Sequence, residues 1–165
     1  MRRVMLALMA IAALAAAASS GPAAAQSQLG DPNAEPVPFQ PHMSALMSML
    51  IQPRHARLGL AGKAENWSLA AYALKELRQG FAVVSKAVPR WRDRPVPELI
   101  EAAVDHPITL IDYAIKLRYP AQFNEAYGRL TEGCNACHAT TDHPFVVIKV
   151  PDVSPFPDQD FAPKQ

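Results

Sequence analysis

Between Met43 and Thr141 apolar residues return every three or four positions, in four blocks separated by short polar or proline-marked breaks. In the second block Trp67, Ala70, Leu74, Leu77, Phe81, Val84 and Val88 alternate steps of three and four, the stripe of a helix packed along one face. Asn66 stands where an N-cap belongs and Pro89 where a helix should stop. The fourth block repeats the pattern with Phe123, Tyr127, Leu130, Cys134 and Cys137, and Pro120 suits its first turn. In the third, Ile100, Ala103, Leu110, Ala114 and Leu117 form the stripe after Pro97, and Pro107 is expected to kink or split the helix. The first block, about Met43 to Lys63, sets Met43, Met47, Leu50, Leu58 and Ala61 on one broad face, with Pro53 expected to bend it. The links between blocks are short, so neighbours should run antiparallel. The expected fold is all-α, an up-down-up-down antiparallel four-helix bundle spanning 42–142.

Outside these blocks the periodicity is lost. Phe145 to Val150 is a short β-like run, and the proline-rich remainder of 143–165 reads as an extended C-terminal tail over the bundle surface. Residues 26–41 hold four prolines and read as a flexible leader. Residues 1–25 read as a secretory signal peptide. Met1-Arg2-Arg3 is a positive start, Val4 to Ala18 an apolar and small-residue run, and Ala23-Ala24-Ala25 a small-residue cleavage site.

Export changes the accounting of charge and thiols. Without the first 25 residues, 140 of the 165 remain, enough for one domain, with 14 basic against 15 acidic side chains. No basic excess points to nucleic acid, and no second apolar segment is long enough to span a membrane. The chain is expected in the periplasm, an oxidising compartment, with only two cysteines, so a framework of several disulfides is excluded.

Both cysteines fall in Cys134-Asn135-Ala136-Cys137-His138, the spacing that attaches a c-type haem. Two thiols three positions apart can each form a thioether to one vinyl group, and His138 is then placed as the proximal iron ligand. At i, i+3 and i+4 the three residues share one side of a helix. A thioredoxin-like redox pair would need a strand before it and a βαβ context, which is missing. A zinc site would need two more ligands nearby, and His143 is the one candidate. A plain disulfide between the two cysteines is the remaining alternative. The expected cofactor is one covalent haem c.

The sixth iron position narrows by geometry. No methionine follows Cys137, and the mature methionines Met43, Met47 and Met49 open the first helix. In an up-down-up-down bundle the end of the fourth helix lies beside the start of the first, so Met47 matches His138 in depth, with Met43 next. Met49 points about 200° away from Met47, and His55 lies about 12 Å beyond it. A methionine on an apolar stripe is also ordinary core filler. His42, His106 and His143 approach prolines at helix ends and are expected in solvent. Arg54 is the candidate for a haem propionate; Arg57 reads as solvated.

The set of signal peptide, four helices and CxxCH in the last helix resembles the class II c-type cytochromes, the cytochrome c-prime superfamily. The resemblance spans Met43 to about Thr141 and is carried by Cys134, Cys137 and His138. It implies a haem inside a four-helix bundle with His138 as proximal ligand. One branch is five-coordinate and binds nitric oxide or carbon monoxide. Another is six-coordinate, with a methionine from the first helix, and carries electrons. Two features depart from the family: no basic residue stands within or soon after the motif, and 27 residues follow His138. The leading expectation is a periplasmic monohaem electron carrier that serves redox partner proteins, a homodimer being compatible with the resemblance. No nucleophile–base pair or carboxylate cluster stands out, so no enzymatic bond-making is expected. The alternative is a five-coordinate gas-binding haem protein.

Overall fold

The computed structural model describes residues 41–163. The chain is all-α. The first block comprises α1 (Met43–Leu46), a π-helical turn over Met47–Ile51 and α2 (Gln52–Lys63), following one another without a break. Then come α3 (Trp67–Ala87), α4 (Val96–Leu117) and α5 (Pro120–Thr140). Between α3 and α4 the strands β1 (Arg90–Trp91) and β2 (Arg94–Pro95) pair antiparallel in a two-residue hairpin, where a plain connection was expected. The readings for residues 1–40 fall outside the described residues.

Local chemistry explains the boundaries. The Asn66 side chain accepts from Leu69 N–H at 3.1 Å and starts α3. Pro120 opens α5, where its missing N–H costs nothing. Pro53 does bear on the first block, and the chain answers it with the π turn that immediately precedes α2. There the Gln52 N–H reaches back five residues to Met47 O, and the Arg54 guanidinium caps Leu50 O at 2.9 Å. Pro107 does not split its helix: α4 runs through it, and Pro107 is buried.

The core is the union of the predicted stripes, with one correction. Leu74, Leu77, Phe81 and Val84 of α3 meet Leu58 and Ala61 of α2 and Phe123, Tyr127 and Leu130 of α5 in one cluster. In α4 the buried line is Ile100, Val104, Ile108, Ile111, Ala114 and Ile115. Of the expected stripe Ile100 and Ala114 are buried, Ala103 and Leu110 pack half-buried against the core, and Leu117 is 64% exposed. Apolar residues cover a wide arc of this helix, so the buried face is broader than the expected stripe and includes Val104, Ile108, Ile111 and Ile115.

Three glycines set how closely α5 approaches its neighbours. A Cβ on Gly62 would overlap the Phe123 ring, and one on Gly59 would overlap Tyr127. Rising numbers on α2 therefore meet falling numbers on α5. A Cβ on Gly133 would collide with the carbonyl oxygen of Ala103. That carbonyl is the one Pro107, lacking an N–H, leaves without its helical donor. The haem-type motif thus begins where α5 lies hard against α4.

After α5 the chain doubles back. Phe145 lies in a turn and residues 146–150 carry no regular secondary structure and pair with no strand, so the β-like reading is corrected: the side chain of Asn135 binds Ile148 instead. The tail then lies along α2 and α3. Arg57 Nε donates to Gln159 at 2.9 Å and its guanidinium sits over the Phe156 ring, while Asn66 Nδ2 donates to Phe161 O and Ala162 O. Arg57 is a tail anchor, not a solvated residue. Among the described residues no helix is long and apolar enough to cross a membrane.

Candidate functional site

A cavity of about 420 Å³ opens where the start of the first block, the start of α4 and the end of α5 come together. That volume is in the range of small-molecule and cofactor pockets. Cys137 and His138 line it from α5, Met43 and Met47 from the first block, and Val96, Leu99 and Ile100 from α4. Trp91 of the hairpin, Thr141, His143 and Val146 complete the mouth. The walls are largely aliphatic and aromatic, so charge and water are both disfavoured inside.

His138 is the best-defined group in the site. Its Nδ1–H donates to the carbonyl of Val146 at 2.8 Å, which fixes the tautomer and leaves Nε2 with its lone pair. A ring nitrogen held in that way is the arrangement of an imidazole metal ligand with its supporting carbonyl. Cys137 shares the wall. Cys134 does not reach it: the residue lies one turn deeper on the same helix, toward Tyr127. The two thiols are not joined to each other. Burial, and then the neighbouring Cys137, pushes the Cys134 thiol up to about 11, and burial also raises Cys137. At neutral pH both are protonated. A thioredoxin-like pair works through a lowered thiol pKa, the opposite of what is found here. Among the described residues no group of three or more His, Cys, Asp or Glu side chains is placed to hold a metal ion, so His143 does not complete a zinc site.

The first block brings two thioethers to the cavity, Met43 and Met47, with the π turn starting at Met47. Met49 is 77% exposed and faces away, as its helical angle requires. His55 is buried in the core instead. Its Nε2 lies 3.1 Å from Thr131 Oγ1 and its Nδ1 3.0 Å from Tyr127 Oη, while Tyr127 O–H donates to His55 O at 2.8 Å. Burial lowers its pKa to about 4, so it is neutral at pH 7. Arg54 is not brought to the cavity. It bonds Leu50 O and lies 3.7 Å from Glu76 of α3, which leaves no structural support for a contact with a group bound beside His138.

Of the histidines expected in solvent, His42 is exposed and borders the cavity just before α1, and His143 is half-buried on its wall. His143 donates from Nδ1 to Thr141 O at 2.7 Å and packs against Trp91, ring centroids 5.7 Å apart. His106 is exposed, as expected. Trp91 itself was missed, since a lone tryptophan among Arg90, Arg92, Asp93 and Arg94 carries no periodic signal. Its indole N–H is buried with no acceptor among the described residues. Gly133 and Asn135 also escaped the sequence reading, because their importance depends on what α4 and the tail place beside them.

These are residues of the kind that hold a covalent haem: an oriented imidazole, the Cys137 thiol, two thioethers and an orphaned indole donor line an apolar cavity, while the second thiol, Cys134, lies one turn away from it on the same helix. Compared with protein-family models, curated proteins and solved structures, the chain matches none.

Proposed function

We propose that this chain is an exported monohaem c-type cytochrome of the class II kind, an up-down-up-down four-helix bundle that carries single electrons between partner proteins in the periplasm. The observation that carries the reading is His138. It lines an apolar cavity beside Cys137, its Nδ1–H is committed to Val146 O, and Met43 and Met47 stand on the same cavity's wall. A bound haem would supply one reversible electron through its iron. The chain's own residues do the rest. Cys134 and Cys137 tether the porphyrin, and His138 offers Nε2 in one fixed tautomer. Met47, with Met43 one turn earlier, offers a thioether, a soft donor that favours the reduced metal and raises the potential. The aliphatic walls of α4 and the Trp91 hairpin exclude water, which keeps the solvent rearrangement on electron transfer small. No bond-making step is assigned to the protein.

Optical spectra of the isolated ferric and ferrous holoprotein test this. Low-spin spectra in both states and a reversible one-electron cycle are expected. A high-spin ferrous form that readily takes carbon monoxide would overturn the electron-carrier reading in favour of a five-coordinate gas-binding protein.

A further inference from the structure

The residue between the two cysteines makes a contact that the spacing of the motif does not require. Asn135 Nδ2 donates to Ile148 O at 2.8 Å, and Ile148 N–H donates back to Asn135 Oδ1 at 2.8 Å. The side-chain amide thereby pairs both backbone groups of one residue, as a neighbouring strand would, in the strap that follows α5 over 143–150. Two residues upstream, Val146 O accepts the Nδ1–H of His138, while the Val146 N–H is held by His143 O at 3.0 Å. Between Val146 and Gln159, the only hydrogen bonds tying the strap to the helices among the described residues are the two that Asn135 makes. The strap carbonyl that orients His138 is thus pinned from inside the same motif, three residues away along one helix.

We propose that Asn135 is a positioning residue. By clamping Ile148 it holds the Val146 carbonyl against His138 Nδ1, and so controls how strongly His138 donates to iron. The inference rests on the haem reading above. An imidazole whose Nδ1–H is given to a carbonyl is the more basic ligand at Nε2. A more basic ligand favours the oxidised, more highly charged metal. The clamp therefore holds the midpoint potential down, whereas a thioether ligand would raise it. Loosening it shifts the potential upward and weakens the iron–histidine bond.

The test uses the full-length holoprotein, produced with a haem-ligation system, as wild type, Asn135→Ala, Ile148→Pro and the double variant. Ile148→Pro removes the N–H that Asn135 accepts and leaves Cys134 to His138 untouched, so it decides the matter if Asn135→Ala impairs haem attachment. Covalent haem content is measured first. A wild type without haem defeats the underlying functional reading and is recognised at that step. With haem attached, the expected result is a higher midpoint potential in each single variant and, read in a ferrous Met47→Ala background where the iron is five-coordinate, a lower iron–histidine stretching frequency. The double variant should add little to either, since both changes break one clamp. An unchanged potential and an unchanged stretching frequency in a haem-loaded variant overturn the proposal, as do fully additive shifts.

Discussion

His55 shows at the scale of one residue how environment decides a role. An imidazole is a common iron ligand, yet this one lies too deep for the cavity and sits at 4% exposure between Tyr127 and Thr131. Its pKa of about 4 in the fold lies below the ordinary 6.5, so between those values the unfolded chain binds a proton that the folded chain refuses. Stability must then fall as pH drops from 6.5 toward 4 and level off below it, by at most roughly 3 kcal/mol for a shift of this size. Unfolding curves across that window should show this slope in the wild type and a flatter one in His55→Leu; parallel slopes would count against it. Met47 gives the matching prediction in the cavity. In the holoprotein Met47→Ala should turn low-spin iron high-spin, whereas Met49→Ala, on an exposed side chain, should leave the spectrum alone. Loss of the low-spin form in Met43→Ala but not in Met47→Ala would move the ligand one turn. The placement of Met43, Met47 and Met49 relative to the cavity was legible in the sequence because helical angle is a local property. Arg54 was misread because its partner, Glu76, lies on another helix, and nothing in the local pattern announces that pairing.

At the scale of elements, helix existence and most boundaries were readable, since Asn66, Pro120 and the three-four spacing act within a turn or two of themselves. What local pattern could not show was how proline is absorbed. Pro53 is taken up by a π turn, and Pro107 is tolerated inside α4 because α5 can come close at Gly133. Gly133 and Gly128, five residues apart on one helix, provide a paired test. Gly128→Ala meets open space and should stabilise by about 0.5–1 kcal/mol through helix propensity alone. Gly133→Ala gains the same propensity but drives a methyl into the Ala103 carbonyl, with a net loss of roughly 1–3 kcal/mol expected. Chemical denaturation of the two variants reads the difference directly. Equal effects would mean that the close α4–α5 approach does not matter energetically.

For the whole molecule, the tail is what the periodic pattern described least. Its course is set by contacts with residues roughly 100 positions upstream in sequence: Arg57 with Gln159, and Asn66 with Phe161 and Ala162. Asn66 holds two jobs that a substitution can separate. Asn66→Ser keeps a capping oxygen for α3 and loses the amide that binds the tail. It should keep the wild-type unfolding midpoint while the amides around Phe161 exchange faster with solvent, whereas Asn66→Ala should also lose about 1 kcal/mol of stability. Faster exchange confined to α3 would contradict this division.

The central claim concerns Cys134, Cys137 and His138, and mass spectrometry of the denatured chain tests it most directly. Produced with a haem-ligation system and exported, the protein should carry one haem that survives denaturation, lost when both cysteines are changed to alanine. A chain of unmodified mass, with two free thiols or a Cys134–Cys137 disulfide, would contradict the account.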